Sequence, residues 1–137
     1  MRTIKFRGKE IITNQWVEGD LLQCPNKYPT IRMWEEAYPI ARSIDFVVFP
    51  DTIGQFTGLH DKNGKEIYEG DIICSEKYKH IHVISYDDTL GSFVGKTPGD
   101  RYGTFTGPIN QRWINDYEKE VIGNIHDNPE LMKGGEE

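Results

Sequence analysis

Acidic side chains are the most numerous candidates for chemistry in this sequence, and they cluster at Asp61, Glu66, Glu69 and Asp71. General acid–base catalysis needs two carboxylates that lie in different environments and face one pocket. All four residues lie in or beside predicted turns, where acidic side chains accept hydrogen bonds from backbone N–H groups. The pattern therefore predicts structural roles, with Asp71 capping a turn, and it identifies no catalytic residue.

Histidine and cysteine side chains are the other candidates, as metal ligands or nucleophiles. His80 and His82 share one face of a predicted strand about 7 Å apart, and Cys74 could lie on a neighbouring strand. A metal site needs further ligands that converge on the ion, and no third ligand has a fixed place here. A thiol in a buried run such as that beginning at Cys74 is unreactive. We predict no metal ion, no cofactor and no enzymatic activity.

The charge balance bears on the class of partner. The 137 residues include 16 basic and 22 acidic ones, for a net charge of −6. Sequence-independent binding of nucleic acid requires clustered Lys and Arg, so the balance disfavours a nucleic-acid partner. The beginning is locally basic, at Arg2, Lys5, Arg7 and Lys9, and we interpret these side chains as a solvated strand face.

Apolar segments and cysteines indicate the cellular compartment of a protein. No stretch approaches the roughly 18 apolar residues of a membrane span, and the first residues lack the apolar segment of a signal peptide. The two cysteines, Cys24 and Cys74, are too few and too far apart for a disulfide framework. We therefore expect a cytoplasmic protein with free thiols and no membrane association.

Predicted β-strands are the elements that must position these side chains. Apolar and polar residues alternate in residues 4–7 and 80–86, further strands are predicted from residue 16 and at residues 120–125, and apolar or β-branched runs occupy residues 44–49 and 72–74. The prediction is a mainly β fold of the β-rich α+β kind. A small SH3-like barrel occupies residues 53–131, a β-rich N-terminal appendage residues 1–52 and a frayed tail residues 132–137.

Three local features refine this prediction. The dipeptide Asn63-Gly64 is typical of a type I′ turn, in which both central residues have positive φ. The stretch from Trp34 to Tyr38 could form a short helical turn. An acid-Gly-acid step occurs at residues 18–20 and again at residues 69–71, each before an apolar run. We interpret both as ordinary turn chemistry, the alternative being two related β units.

Three segments together resemble the YopX family, a group of small proteins carried by bacteriophages and prophages. The central segment is TIGQFTGL at residues 52–59 followed by DKNGKEIYEGDI at residues 61–72. Residues 4–8 with 16–21 are similar to the opening of the family, and residues 120–131 to its end. The resemblance implies a phage or prophage origin, a location in the bacterial host cytoplasm and no established activity or catalytic residue. It does not extend to residues 24–43 and 95–118.

Rings and cations in those unmatched segments suggest a binding surface. Hydrophobic residues make up only 36% of the sequence although 12% is aromatic, so some rings lack an obvious place in a core. Aromatic residues and Arg are enriched at binding hot spots, and the candidates here are Trp34, Arg101, Tyr102, Phe105, Arg112 and Trp113. We expect a non-enzymatic protein-interaction module with a phage or host protein partner, forming a homo-oligomer. The alternative is a nucleic-acid-binding accessory protein of phage replication or regulation.

Overall fold

The computed structural model describes every residue except 26, 38, 101, 103 and 137, and for residues 134–136 it describes the backbone alone. The chain divides into two compact units, Met1–Phe56 and Thr57–Glu137. About 47% of the residues are in strands and 11% in helices. The prediction of a mainly β fold is therefore confirmed.

The first unit is an antiparallel sheet with the strand order β4-β3-β2-β1-β5. Its strands are β1 (Phe6–Lys9), β2 (Trp16–Leu22), β3 (Thr30–Glu35), β4 (Arg42–Val47) and the beginning of β5 (Gly54–His60), with a 3₁₀ helix at Pro50–Thr52 before β5. Ile31 in β3 and Val48, which follows β4 and bridges to Glu10, are completely buried. The chain passes into the second unit within β5.

Strand β3 differs from the prediction for this part of the sequence. The sequence predicts a short helical turn from Trp34 to Tyr38, yet Trp34 lies opposite Ser43 and Glu35 opposite Arg42 in an antiparallel ladder. The prediction of a helical turn is therefore wrong for Trp34 and Glu35, while Tyr38 lies outside the described residues. Pairing with β4 satisfies the backbone groups of β3 and overrides its weak local preference.

The two acid-Gly-acid steps adopt different structures. Glu18, Gly19 and Asp20 lie inside the continuous strand β2, where a Cβ atom on Gly19 would lie 2.2 Å from the carbonyl oxygen of Arg32 in β3. Glycine is needed at this position because the neighbouring backbone approaches so closely. Gly70, in contrast, occupies a turn with a φ of 91°.

The second unit contains a five-stranded antiparallel sheet with the order β10-β9-β8-β7-β11. Its elements follow in chain order after the end of β5. They are β6 (Glu66–Tyr68), β7 (Asp71–Cys74), β8 (Ile81–Asp87), β9 (Ser92–Lys96), β10 (Phe105–Pro108), helix α1 (Gln111–Asp116), β11 (Glu120–Asn124) and a 3₁₀ helix at Pro129–Glu136. The core cluster is Ile67, Ile73, Ile84 and Ile114. Within the described residues, β10 and β11 are edge strands of this sheet, so the predicted barrel is not closed.

Candidate functional site

The Asp61 carboxylate holds three segments of the second unit together. Its Oδ1 accepts hydrogen bonds from the backbone N–H groups of Asn63 at 2.8 Å and Lys65 at 2.9 Å. Its Oδ2 accepts from Val121 N in β11 at 2.9 Å. A buried carboxylate bound by three donors stabilises the turn.

This carboxylate also explains why the turn at Asn63-Gly64 differs from the prediction. Gly64 has a φ of 82°, but Asn63 is not among the residues with positive φ. The type I′ prediction is therefore wrong, because the longer turn closed by Asp61 N to Lys65 O at 2.8 Å needs positive φ at the glycine alone.

Asp71 caps the turn between β6 and β7, as predicted. Its Oδ2 accepts a hydrogen bond of 2.7 Å from Tyr68 N, and its side chain is buried. The neighbouring Glu66 carboxylate accepts from the Tyr68 hydroxyl at 3.4 Å. These acids organise the β6–β7 turn.

The least expected group is the buried amine of Lys119, which precedes β11 and is only 2% exposed. Its Nζ donates to the carbonyl oxygen of His80 at 3.1 Å and lies 3.3 Å from Nδ1 of His82. It also lies 5.2 Å from the centre of the Trp113 ring. Burial lowers the pKa of the Lys119 amine, so keeping it charged in this place costs folding free energy.

His82 is neutral at physiological pH because of its surroundings. Burial, then the Lys119 ammonium, then His80 lower the pKa of His82 to about 4. The neutral ring can therefore accept a hydrogen bond from Lys119 Nζ at Nδ1. Nothing in the local sequence distinguishes Lys119 from an exposed lysine, which is why sequence analysis did not identify it.

Helix α1 supplies the ring that covers this amine. The Asn110 side chain caps the helix by accepting a hydrogen bond of 2.8 Å from Trp113 N. The Trp113 ring packs edge-on against His82 with centres 5.3 Å apart, and Tyr117 follows at 6.3 Å. Trp113, a predicted binding residue, is thus half-buried and packs inside the second unit.

The other predicted binding residues are placed separately. Trp34 in β3 of the first unit is 57% exposed and donates from Nε1 to Asp20. In the second unit, Arg112 is exposed on α1 and pairs with Asp116 at 3.5 Å. Arg101 lies outside the described residues.

Tyr102 and Phe105 lie on or beside the edge strand β10, with 78% and 43% of their surfaces exposed. The Asp100 carboxylate accepts hydrogen bonds from Tyr102 N at 2.8 Å and Thr104 N at 3.2 Å. The hydrogen bond from the Thr104 side chain is the main cause that lowers the pKa of Asp100. Tyr102 and Phe105 therefore present two large rings on either side of Thr104.

The cations of β1 are not fully solvated, contrary to our interpretation. The Arg7 guanidinium lies 4.7 Å and the Lys9 amine 5.5 Å from the centre of the Trp16 ring. Lys5 lies 5.3 Å from the centre of the Phe56 ring. All three cations are half-buried, and each stacks on a ring of the first unit.

Each unit also carries a shallow depression. One of about 400 Å³ in the first unit is bordered by Leu21, Cys24 and Ile53, and one of about 320 Å³ in the second unit by Ser75, Lys77 and Glu118. No group of three or more His, Cys, Asp or Glu among the described residues could hold a metal ion. Every helix in the described part of the chain is too short or too polar to span a bilayer.

The Lys119–His82 pair predicts a measurable pKa change. Lys119→Met keeps much of the side-chain volume but removes the ammonium, so we expect the pKa of His82 to rise from about 4. NMR titration of the His82 ring in both proteins measures this, with the exposed Lys65→Met as control. A His82 pKa that is the same in all three proteins would contradict the geometry.

The same pair sets the direction of the pH dependence. The folded pKa of His82 is lowered from 6.5 to about 4. The contribution of the neutral His82 ring to the free energy of unfolding is therefore complete above pH 6.5 and is lost as the pH falls toward 4. After allowance for solvent screening, the loss is about 1–2 kcal/mol. Urea unfolding at pH 7 and pH 4.5 measures it, and a His82→Phe variant should show a smaller loss over that interval.

Comparisons with known proteins cover nearly the whole chain. The family model described as YopX protein matches residues 5–133. The crystal structure of protein EF1440 from Enterococcus faecalis is similar, with 25% sequence identity and a TM-score of 0.59, over 96% of this chain and 99% of that one. No curated protein matches this chain in sequence.

Proposed function

We propose, from the premise that this chain belongs to the YopX family, that it is a non-enzymatic protein-interaction module. The proposal includes a phage or prophage origin, a place in the cytoplasm of the bacterial host, and self-association. Origin and location follow from the family resemblance. The role follows from the distribution of rings and charges over the surface.

The exposure of Tyr102 and Phe105 carries the proposal. Two large rings at 78% and 43% exposure, Phe105 on the edge strand β10 and Tyr102 before it, leave apolar area in water. The hydrogen bond from Tyr102 N to the Asp100 carboxylate restrains Tyr102, which lowers the cost of ordering it when a partner binds. Rigid rings of this kind supply much of the free energy of protein–protein interfaces.

The non-enzymatic part rests on what the buried charged groups do. Asp61 and Asp71 accept hydrogen bonds from backbone donors of neighbouring turns. Lys119 is held by His80, His82 and the Trp113 ring. A catalytic acid, base or nucleophile must face a substrate, and these three side chains face the interior of their own unit.

Nucleic acid binding is the less favoured function. Single-strand binding needs open rings beside a basic groove, whereas the β1 cations stack on Trp16 and Phe56 within the first unit. The net charge of −6 adds a repulsive term toward phosphate. Binding to single-stranded DNA at low salt that is lost at high salt would favour this alternative.

Removing the two exposed rings should abolish partner capture. We expect Tyr102→Ala with Phe105→Ala to reduce the captured partner roughly thirtyfold, the effect of losing about 2 kcal/mol at a hot spot. The measurement is affinity capture from infected host cells followed by mass spectrometry, with partner recovery compared between wild type and variant.

A matched control separates loss of binding from loss of folding. Tyr28→Ala removes an exposed ring of the first unit, which is 55% accessible, and should leave capture unchanged. Circular dichroism and the thermal midpoint of each variant should match the wild type. Equal recovery of the same partner by wild type and by the double variant would refute the proposed surface.

A further inference from the structure

Strand β4 presents an open edge in the first unit. It pairs with β3 through six residue pairs, from Thr30 opposite Val47 to Glu35 opposite Arg42. It is the last strand of the sheet order, and all of its residues except Phe46 are exposed. Its edge is covered only at the end, where the following Val48 bridges to Glu10 among the described residues. An exposed strand edge is a template for pairing with another strand.

Two hydrogen bonds show which backbone groups face outward. Val48 N donates to Pro29 O at 3.0 Å, on the side of β3, whereas Val47 O accepts from Ile11 N at 3.0 Å on the opposite side. Backbone groups alternate in direction along a strand, so those of Ser43 and Asp45 point away from β3. None of the described residues bonds to these outward groups.

The edge has few of the features that usually prevent pairing. Natural edges are protected by charged residues, especially Lys, by Pro or by a bulge. Strand β4 has an unbroken register with β3 and no Lys or Pro, and its one basic residue, Arg42, is its first. Its one acid, Asp45, is turned along the sheet toward Arg32, whose Nε and Nη2 donate at 2.7 and 3.0 Å. The carboxylate is therefore neutralised on its own sheet and does not repel an incoming strand.

We propose that β4 pairs antiparallel with β4 of a second copy of this chain, with Ile44 at the two-fold axis. Ser43 of each copy then lies opposite Asp45 of the other, and the outward groups of both residues form two reciprocal pairs of backbone hydrogen bonds. The Ser43 hydroxyl also faces the Asp45 carboxylate of the second copy. This inference rests on the proposed self-association and names the surface that makes it.

Self-complementarity is the reason that the occupant is a second copy. In this register the like faces of both sheets continue into one another, so Ile44 meets Ile44 of the second copy. Ile44 is 41% exposed and pairs with the exposed Met33 on the same face, which makes one apolar stripe across the axis. Burial of that stripe adds to the backbone hydrogen bonds.

Neighbouring registers are less favourable. A shift of two residues in one direction places Asp45 opposite Asp45, which brings like charges together. It also places Ser43 opposite Val47 of the second copy, whose carbonyl oxygen already accepts a hydrogen bond from Ile11 N. The opposite shift centres the pair on Ser43 and extends it to Ala41, which precedes the strand.

The test is the dimerisation of the full chain and of an edge variant. Sedimentation equilibrium between about 1 and 300 μM should show a reversible dimer with a Kd of about 1–100 μM, as a small interface implies. Ile44→Lys places two ammonium groups at the axis and should weaken the dimer roughly tenfold or more. Ile4→Lys, at an exposed isoleucine that precedes β1, is the matched control and should leave the Kd unchanged.

Disulfide trapping makes the test independent of the lysine variant. In a Cys24→Ser background, Ile44→Cys should form a covalent dimer under mild oxidation, because residues opposed at a non-hydrogen-bonded position lie about 4.5 Å apart. Ile4→Cys should not. A chain that stays monomeric throughout, or a dimer that Ile44→Lys leaves intact and Ile44→Cys does not trap, overturns the proposal. Failure of the Tyr102 and Phe105 variants to lose partner capture would instead refute the proposed function.

Discussion

Replacement of Asp61 by alanine is expected to destabilise the second unit by about 3 kcal/mol. The carboxylate is buried and accepts hydrogen bonds from Asn63, Lys65 and Val121. Its loss leaves these donors without their acceptor and disconnects the β5–β6 turn from β11. Because hydrogen bonds to a charged group contribute about 1.5–3 kcal/mol each and do not add fully, the estimate stays below their sum.

Urea unfolding followed by circular dichroism measures this change as a shift in midpoint. Asp88→Ala, at an exposed turn acid of the same unit, is the control and should change the free energy of unfolding by less than about 0.5 kcal/mol. Asp61→Asn retains an acceptor for one or two donors, so its loss of free energy of unfolding should lie between those of Asp61→Ala and Asp88→Ala. A loss below about 1 kcal/mol for Asp61→Ala would show that this carboxylate does not hold the turn to β11.

The second large effect is expected at Gly19, where alanine should cost about 3 kcal/mol. The added Cβ would lie 2.2 Å from the carbonyl oxygen of Arg32. That oxygen belongs to the backbone of β3 and cannot turn aside as the end of a flexible side chain could. Relief of the overlap requires β2 and β3 to separate, which weakens the ladder in which Asp20 lies opposite Arg32.

The neighbouring Glu18→Ala is the matched control, since its side chain is 51% exposed and pairs with Lys5 at 3.9 Å. An exposed ion pair contributes at most about 1 kcal/mol, so the control should remain close to the wild type. Thermal and urea unfolding of both variants give the comparison. Equal stability of the two variants would mean that β2 and β3 do not approach each other this closely.

Sequence patterns alone were sufficient for the fold class and for many of the strands. Alternation predicted a strand at residues 80–86 that includes most of β8, and the apolar run at residues 72–74 predicted most of β7. These patterns are local, because side-chain direction along a strand has a period of two wherever one face is buried. The Asp71 cap was predictable for the same reason, since its donor, Tyr68 N, is only three residues away.

The features that the sequence did not predict depend on contacts between residues far apart in the chain. Trp34 and Glu35 form a strand only because Ser43 and Arg42 pair with them. The acid at Asp61 looked like a turn residue, and its bond to Val121, sixty positions away, gave no sequence signal. The open edges of the second sheet likewise depend on which strands meet.

Sequence by itself determined the mainly β class, the family and the turn chemistry that spans a few residues. Tertiary structure alone decided that Lys119 is buried beside His82 and Trp113, and that Tyr102 stays in water. The physical reason is that periodicity and capping act between near neighbours in the chain. Burial and the pKa of a side chain depend on partners that only the folded chain brings together.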